Sequence, residues 1–198
     1  TADKKPGTIT VRVEGEHDSP QEVVLPHGSN LGELLAHVRF NVRSQPQNLQ
    51  LFRLSVKERQ KALLATSLRS LEASLLTARS GSGEEAALRT QEANLMLQWV
   101  ERARQIEPLG QVIVASHPDR AALQLENGDV LRVPSRDGLV LVSGEVLFPN
   151  SVAHEPRLSL GDYIQRAGGF TQNADNARVV LARVDGSFEQ SDARQLEA

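Results

Sequence analysis

Two stretches of this 198-residue chain carry the same pattern without a gap at an offset of 129 positions. Val11, Val13, Gly15, Glu16, Asn30, Leu31, Gly32, Glu33 and Leu35 are answered by Val140, Val142, Gly144, Glu145, Ser159, Leu160, Gly161, Asp162 and Ile164. A repeat constrains the fold more than any local motif, because each copy must form the same supersecondary unit. The chain therefore holds two copies of a small αβ module, and whatever separates them is an insertion or a linker. At this length two small cores are expected rather than one large one.

In the first copy Ile9–Val13 alternates β-branched and polar residues. Glu22–Leu25 follows a turn region containing Asp18-Ser19-Pro20, which predicts a hairpin. Asn30 with Glu33 three residues on forms a capping box that opens a helix predicted to run from Leu31 to Phe40. A short strand, Leu49–Arg53, completes β-β-α-β, the skeleton of a β-grasp. The character then changes. Residues 55–107 read as two long helices, the first capped by Ser55 with a stripe of Leu64, Leu68, Leu71 and Leu75, ending near Arg79. Ser80–Gly83 is the turn, Ser82 with Glu85 caps the second helix, and its expected stripe is Leu88, Leu95, Trp99 and Ile106, with Pro108 as the stop. The first arm (55–79) carries five basic and two acidic residues and the second (84–107) three basic and five acidic, which favours an antiparallel hairpin. Each arm spans about 36 Å. That is longer than a small β-grasp core can cover, so part of the hairpin should project outward, towards a partner or another subunit; the alternative is that it folds back as a lid over the first module's sheet.

Strands resume at Gln111–Val114 and Asp129–Pro134, separated by the Asn127-Gly128-Asp129 turn, and these close the first module. The second copy opens at Leu139–Gly144. Its helix, Leu160 to Arg166 or Ala167, is capped by Ser159 with Asp162, and Gly168-Gly169 stops it. Arg178–Arg183 is its third strand, with a turn at Asp185-Gly186. No counterpart of Asn127–Pro134 follows, so the second module is expected to be cut short. The predicted class is α+β, with residues 1–7 a linker, 8–134 the first module with its insert, and 138–198 the second.

The chemistry is sparse. A net charge of −3 supplies no counterion-release drive towards nucleic acid. Cysteine is absent, which excludes disulfides, thiolate catalysis and zinc–thiolate sites. No apolar run approaches the roughly 20 residues of a membrane helix. His17, His27, His37, His117 and His154 show no metal-ligand spacing and read as surface or turn residues. Gly81-Ser82-Gly83 lacks the strand and the Lys-Ser/Thr of a phosphate loop. Glu84-Glu85 faces the positive end of a helix dipole, and no GxSxG is present. Catalytic, cofactor and metal residues are therefore expected to be none, and ligand-binding residues stay unassigned. Aromatic residues make up only 4% of the chain, which limits sugar-stacking platforms, and Trp99, Tyr163 and Phe170 read as packing residues.

Val140–Asn150 followed by Leu158–Thr171, with V-x-V-x-G-x-V-x-x-P and then A-G-G-F-T, resembles an SLBB domain, a soluble ligand-binding β-grasp. The first copy has Val38-Arg39-Phe40 where Ala-Gly-Gly would stand. Tandem SLBB modules are similar to the periplasmic parts of outer-membrane polysaccharide export proteins of the Wza and KpsD type, and the Leu-rich insert resembles the KpsD-like branch. The resemblance implies a non-enzymatic, ring-forming component of a conduit to the outer membrane, without cofactor. Implied partners are the exported polysaccharide, other copies of the chain and an inner-membrane polysaccharide co-polymerase or exporter. It also implies that this chain is a piece of a longer periplasmic protein. The alternative is a stand-alone periplasmic carbohydrate- or small-ligand-binding β-grasp.

Overall fold

The computed structural model describes residues 7–77, 84–175 and 178–191, apart from the side chains of residues 77 and 84–87. Residues 1–6, the turn Ser80–Gly83, the end of the first arm at Arg79 and the Ser82–Glu85 capping box lie outside the described residues.

The first copy and its insert comprise β1 (Thr8–Gly15), β2 (Glu22–Pro26), α1 (Leu31–Leu35), β3 (Gln50–Phe52), α2 (Leu54–Thr77), α3 (Glu84–Arg104), β4 (Gln111–Ile113) and β5 (Val130–Val133). Five strands form one sheet in the order β2-β1-β5-β3-β4. β5 lies parallel to β1, with Val13 opposite Leu131, and antiparallel to β3, with Leu51 opposite Leu131. The last strand in sequence thus occupies the middle of the sheet. The alternation predicted for β1 places Ile9, Val11 and Val13 on one face, where they meet Leu31, Leu34, Leu49, Leu51 and Leu131 in a single buried core.

α1 is shorter than the run to Phe40 that its pattern suggests. Beyond Leu35 the amides of His37 and Val38 bond three residues back, to Leu34 and Leu35. The chain is then drawn towards the β1–β2 turn, where the Asp18 amide donates to the Arg39 carbonyl and the Arg39 amide donates to Ser19 Oγ. Val38 turns inward to the core. Ser55 does not cap α2 either. The helix already begins at Leu54, the Lys57 amide bonds to the Arg53 carbonyl, and Ser55 Oγ instead donates to Glu126 at 2.7 Å.

The arms α2 and α3 pack on each other around Leu68, Val100 and Ala103, with Leu64 and Leu71 alongside, in a cluster separate from the sheet's core. They are joined across by Glu72–Arg104, and Lys57 and Lys61 both reach Glu107 at the base, at 3.0 and 3.1 Å. At the base, Gln60 accepts from the Gly110 amide at 3.0 Å and reaches the Gln111 carbonyl at 3.4 Å.

The face that α3 turns to α2 is not the expected one. Ala93, Val100 and Ala103 are buried, whereas Leu88, Leu95, Trp99 and Ile106 are half or more exposed. Small residues on α3 let its backbone approach the leucines of α2, so the larger apolar side chains are left outside. Leu68→Ala should therefore destabilise the chain by about 2–5 kcal/mol, and Trp99→Ala by under about 0.5 kcal/mol in dilute solution. Urea melts followed by circular dichroism would check this; equal losses would place Trp99 in the hairpin core after all.

The second copy holds β6 (Leu139–Val142), β7 (Asn150–Ala153), α4 (Leu160–Arg166), β8 (Val179–Ala182) and β9 (Phe188–Ser191). β6 pairs with β7 and β8 with β9, as two separate two-stranded sheets. Among the described residues no strand lies between β6 and β8, the place that β5 takes in the first copy. α4 carries the predicted capping box: Ser159 Oγ accepts from the Asp162 amide, and Asp162 accepts from the Ser159 amide at 2.7 Å. That amide, and the Ser159 hydroxyl, hold the Asp162 carboxyl below its ordinary range. Tyr163 is buried, as expected, and its hydroxyl accepts from the Glu155 amide. The core here is small, built from Val146, Ile164 and Ala167.

Candidate functional site

A buried ion pair stands where the hairpin leaves the sheet. Arg53 follows β3 and immediately precedes α2, and its guanidinium grips Asp129 with two parallel bonds, Nε–Oδ1 at 2.9 Å and Nη2–Oδ2 at 2.7 Å. It also donates to the Gln124 carbonyl at 2.8 Å and lies 3.4 Å from Glu126. Asp129 accepts the Glu126 amide as well, and its side chain is only 1% exposed. The bond to Asp129 raises the Arg53 pKa above its already high ordinary value. All this anchors the root of α2 to the loop before β5. Its partners are 76 residues apart in sequence, so no local pattern marks them; Asn127-Gly128-Asp129 reads only as a turn.

Two shallow depressions flank this root. One, of about 310 Å³, is lined by Ile9, His27, Arg53 and the 124–127 loop, and the other, of about 270 Å³, by Val112–Val114, His117, Arg120 and Leu123. Neither is lined by Phe, Tyr or Trp. In the first, Arg53 is already committed to Asp129 and to a carbonyl, so its charge is directed inward rather than at a ligand.

The predicted histidines are not brought together. His17 bridges Ser19 Oγ and the Val13 carbonyl, His37 meets the Glu33 carbonyl, and His117 accepts from the Asp119 amide. Among the described residues no cluster of His, Cys, Asp and Glu could hold a metal ion. No helix among them is long and apolar enough to cross a membrane.

The two copies meet through backbone carbonyls. Gln111 Nε2 donates to the Asp185 carbonyl at 2.8 Å, and Gln50 Nε2 donates to that of Val184, so the β8–β9 turn sits on the β3–β4 end of the first sheet.

Residues 139–190 match the SLBB domain family model, a stretch that contains β6, β7, α4 and β8 and most of β9. The second copy is an SLBB domain. Two Escherichia coli proteins named polysialic acid transport protein KpsD are each 44% identical to the chain over 187 residues, which is 94% of this chain and 33% of the relative. The chain thus spans about a third of the length of the curated relatives it matches. With so little of the chain left out, the similarity takes in the helical hairpin as well as both copies, and it bears out the KpsD-like character expected from the insert. The two copies share features of local construction. Asn30 and Ser159 both cap their helices with complete capping boxes. Gly15 and Gly144 both adopt positive φ, 94° and 98°.

At the hairpin root, Lys57 and Lys61 hydrogen-bond Glu107 and hold its carboxyl below the ordinary glutamate value. A carboxyl depressed in the folded state favours folding above its unfolded pKa, and that contribution is lost as pH falls through the folded value. Carboxyl NMR should place the Glu107 midpoint below 4.5, and Lys57→Ala combined with Lys61→Ala should return it there. A midpoint unmoved by the double substitution would overturn this assignment.

Proposed function

We propose that this chain is part of a non-catalytic polysaccharide export protein, working in the periplasm and associated through the full-length protein with the outer membrane. The observation that carries the reading is the 44% identity to KpsD over 94% of the chain, hairpin included. On this reading residues 8–134 and 138–198 are two SLBB-like modules that pack side by side with those of neighbouring copies in a heterologous, cyclic contact. The ring is part of a conduit for a capsule or exopolysaccharide, and an inner-membrane exporter or co-polymerase feeds it.

The mechanism is geometric. The residues described above build turns, caps and a clamp at the hairpin root, and the polymer is guided by the lumen rather than altered. The clamp between Arg53 and Asp129 gives the hairpin a fixed exit angle from the sheet, which a repeated ring contact requires.

Deleting the gene for the full-length protein in its host should abolish surface polymer and leave polymer accumulating behind the outer membrane. Unchanged surface polymer would sink the reading, as would sedimentation of the full-length protein as monomers only at micromolar concentration. A saturable calorimetric titration of this chain by capsule oligosaccharide, with export intact in the deletion strain, would favour a stand-alone binding protein.

A further inference from the structure

α3 presents two apolar lines. Ala93, Val100 and Ala103 are buried, Val100 and Ala103 against α2, while Leu88, Leu95, Trp99 and Ile106 are 61%, 59%, 50% and 58% exposed. At 3.6 residues per turn the second line falls within an arc of about 40°, centred about 110° round the helix from the mean direction of the first. An exposed apolar line of this length, interrupted by Glu92 and Arg102, is uncommon on a surface that meets only water.

We propose that this line is a contact between two copies of the chain, with their α3 helices antiparallel across a two-fold axis level with Leu97. The order of residues along the helix is what assigns the occupant. Leu88 and Ile106 lie nine positions either side of Leu97, Glu92 and Arg102 five, and Leu95 and Trp99 two. In the antiparallel pair Leu88 therefore faces the partner's Ile106, Leu95 faces the partner's Trp99, and Glu92 faces the partner's Arg102. Every apolar residue meets an apolar one and each carboxylate meets a guanidinium, twice over by symmetry. An isologous contact demands this self-complementarity, and a surface for an unrelated partner does not. Neither charge is spent within the chain. Among the described residues Glu92 and Arg102 enter no ion pair, and Arg102 Nε donates only to the Gln98 carbonyl one turn back.

The pairing goes beyond the export reading and does not depend on it. A two-fold contact cannot be the repeated contact of a ring, so it joins chains of different rings or chains not yet in one.

The test uses the 198-residue chain, which contains no cysteine and so accepts unambiguous cross-linking positions. Sedimentation should show dimers at concentrations on the order of 100 μM. Glu92→Arg or Arg102→Glu alone should raise the dimer Kd about tenfold, since each sets two like charges face to face, and the two together should return it to within about threefold of the native value. Mild oxidation of the double variant L95C/W99C should give a covalent dimer. Trp99→Glu should give monomers with unchanged helical circular dichroism. A native chain that is monomeric at that concentration would overturn the proposal, as would a double charge reversal no better than the single ones, or the absence of the cross-link.

Discussion

Replacing Asp129 by Ala should cost about 3–5 kcal/mol of stability, the largest effect expected from any single polar side chain here. The carboxylate is shut away from water and accepts two guanidinium bonds and one amide bond. Removing it leaves Arg53, whose side chain is 11% exposed, with only the longer 3.4 Å contact to the half-exposed Glu126 to balance its cation, and leaves the Glu126 amide without its acceptor. The cost is thus that of a stranded charge rather than the net worth of the pair. Replacing both partners with apolar residues of similar size, Arg53→Met with Asp129→Leu, should recover much of the loss. Urea unfolding at neutral pH would measure both variants, and a loss under about 1 kcal/mol for Asp129→Ala would show that water reaches the site. Hydrogen exchange adds a local test, because the Lys57 amide at the root of α2 should lose protection first if the clamp sets the position of the hairpin.

Gly15→Ala should destabilise the chain by more than about 3 kcal/mol, and Gly144→Ala, its counterpart in the repeat, by only about 1–2 kcal/mol. Both residues hold a left-handed φ, so both substitutions incur the same backbone strain. Their surroundings differ. A Cβ on Gly15 would lie 2.2 Å from the Val133 carbonyl oxygen in β5, whereas one on Gly144 would meet nothing within 4 Å. Val133 is a backbone group of the central strand and cannot move aside without opening the parallel β1–β5 pairing. Melting of the two variants under the same conditions reads the difference directly. Equal losses would mean that strain alone decides both, and that β5 is free to yield.

The hairpin shows where reading the chain by hydrophobicity misleads. Leu88, Leu95, Trp99 and Ile106 outweigh Ala93, Val100 and Ala103 on any apolar scale, yet the weaker line is the buried one. A helix pair gains most where its backbones come close, and that favours small residues on one side against leucines on the other. Periodicity reports that an apolar face exists, but when a helix carries two it does not say which one its own partner takes. The α2 stripe raised no such ambiguity: Leu68 is buried and Leu64 and Leu71 pack beside it, as their spacing predicts. The second copy was legible in part, since its strands β7 and β9 carried no reading in the sequence. Its capping box, its Asp185-Gly186 turn and its third strand stand within a residue or so of where they were expected.

What the sequence determined by itself was whatever depends on neighbours a few residues away. The gap-free repeat, the Asn30–Glu33 and Ser159–Asp162 caps, the strand alternation and the helical insert all rest on local hydrogen bonds and side-chain period, and all of them point to an α+β chain of two similar modules. Tertiary structure decided what depends on residues far apart. It set β5 in the middle of the first sheet, between strands that precede it by more than 75 residues. It joined Arg53 to Asp129, ended α1 early by tying Arg39 to the β1–β2 turn, and turned Trp99 outward. In each case the outcome was set by which groups the folded chain brings within bonding distance, and burial decides there what periodicity leaves open.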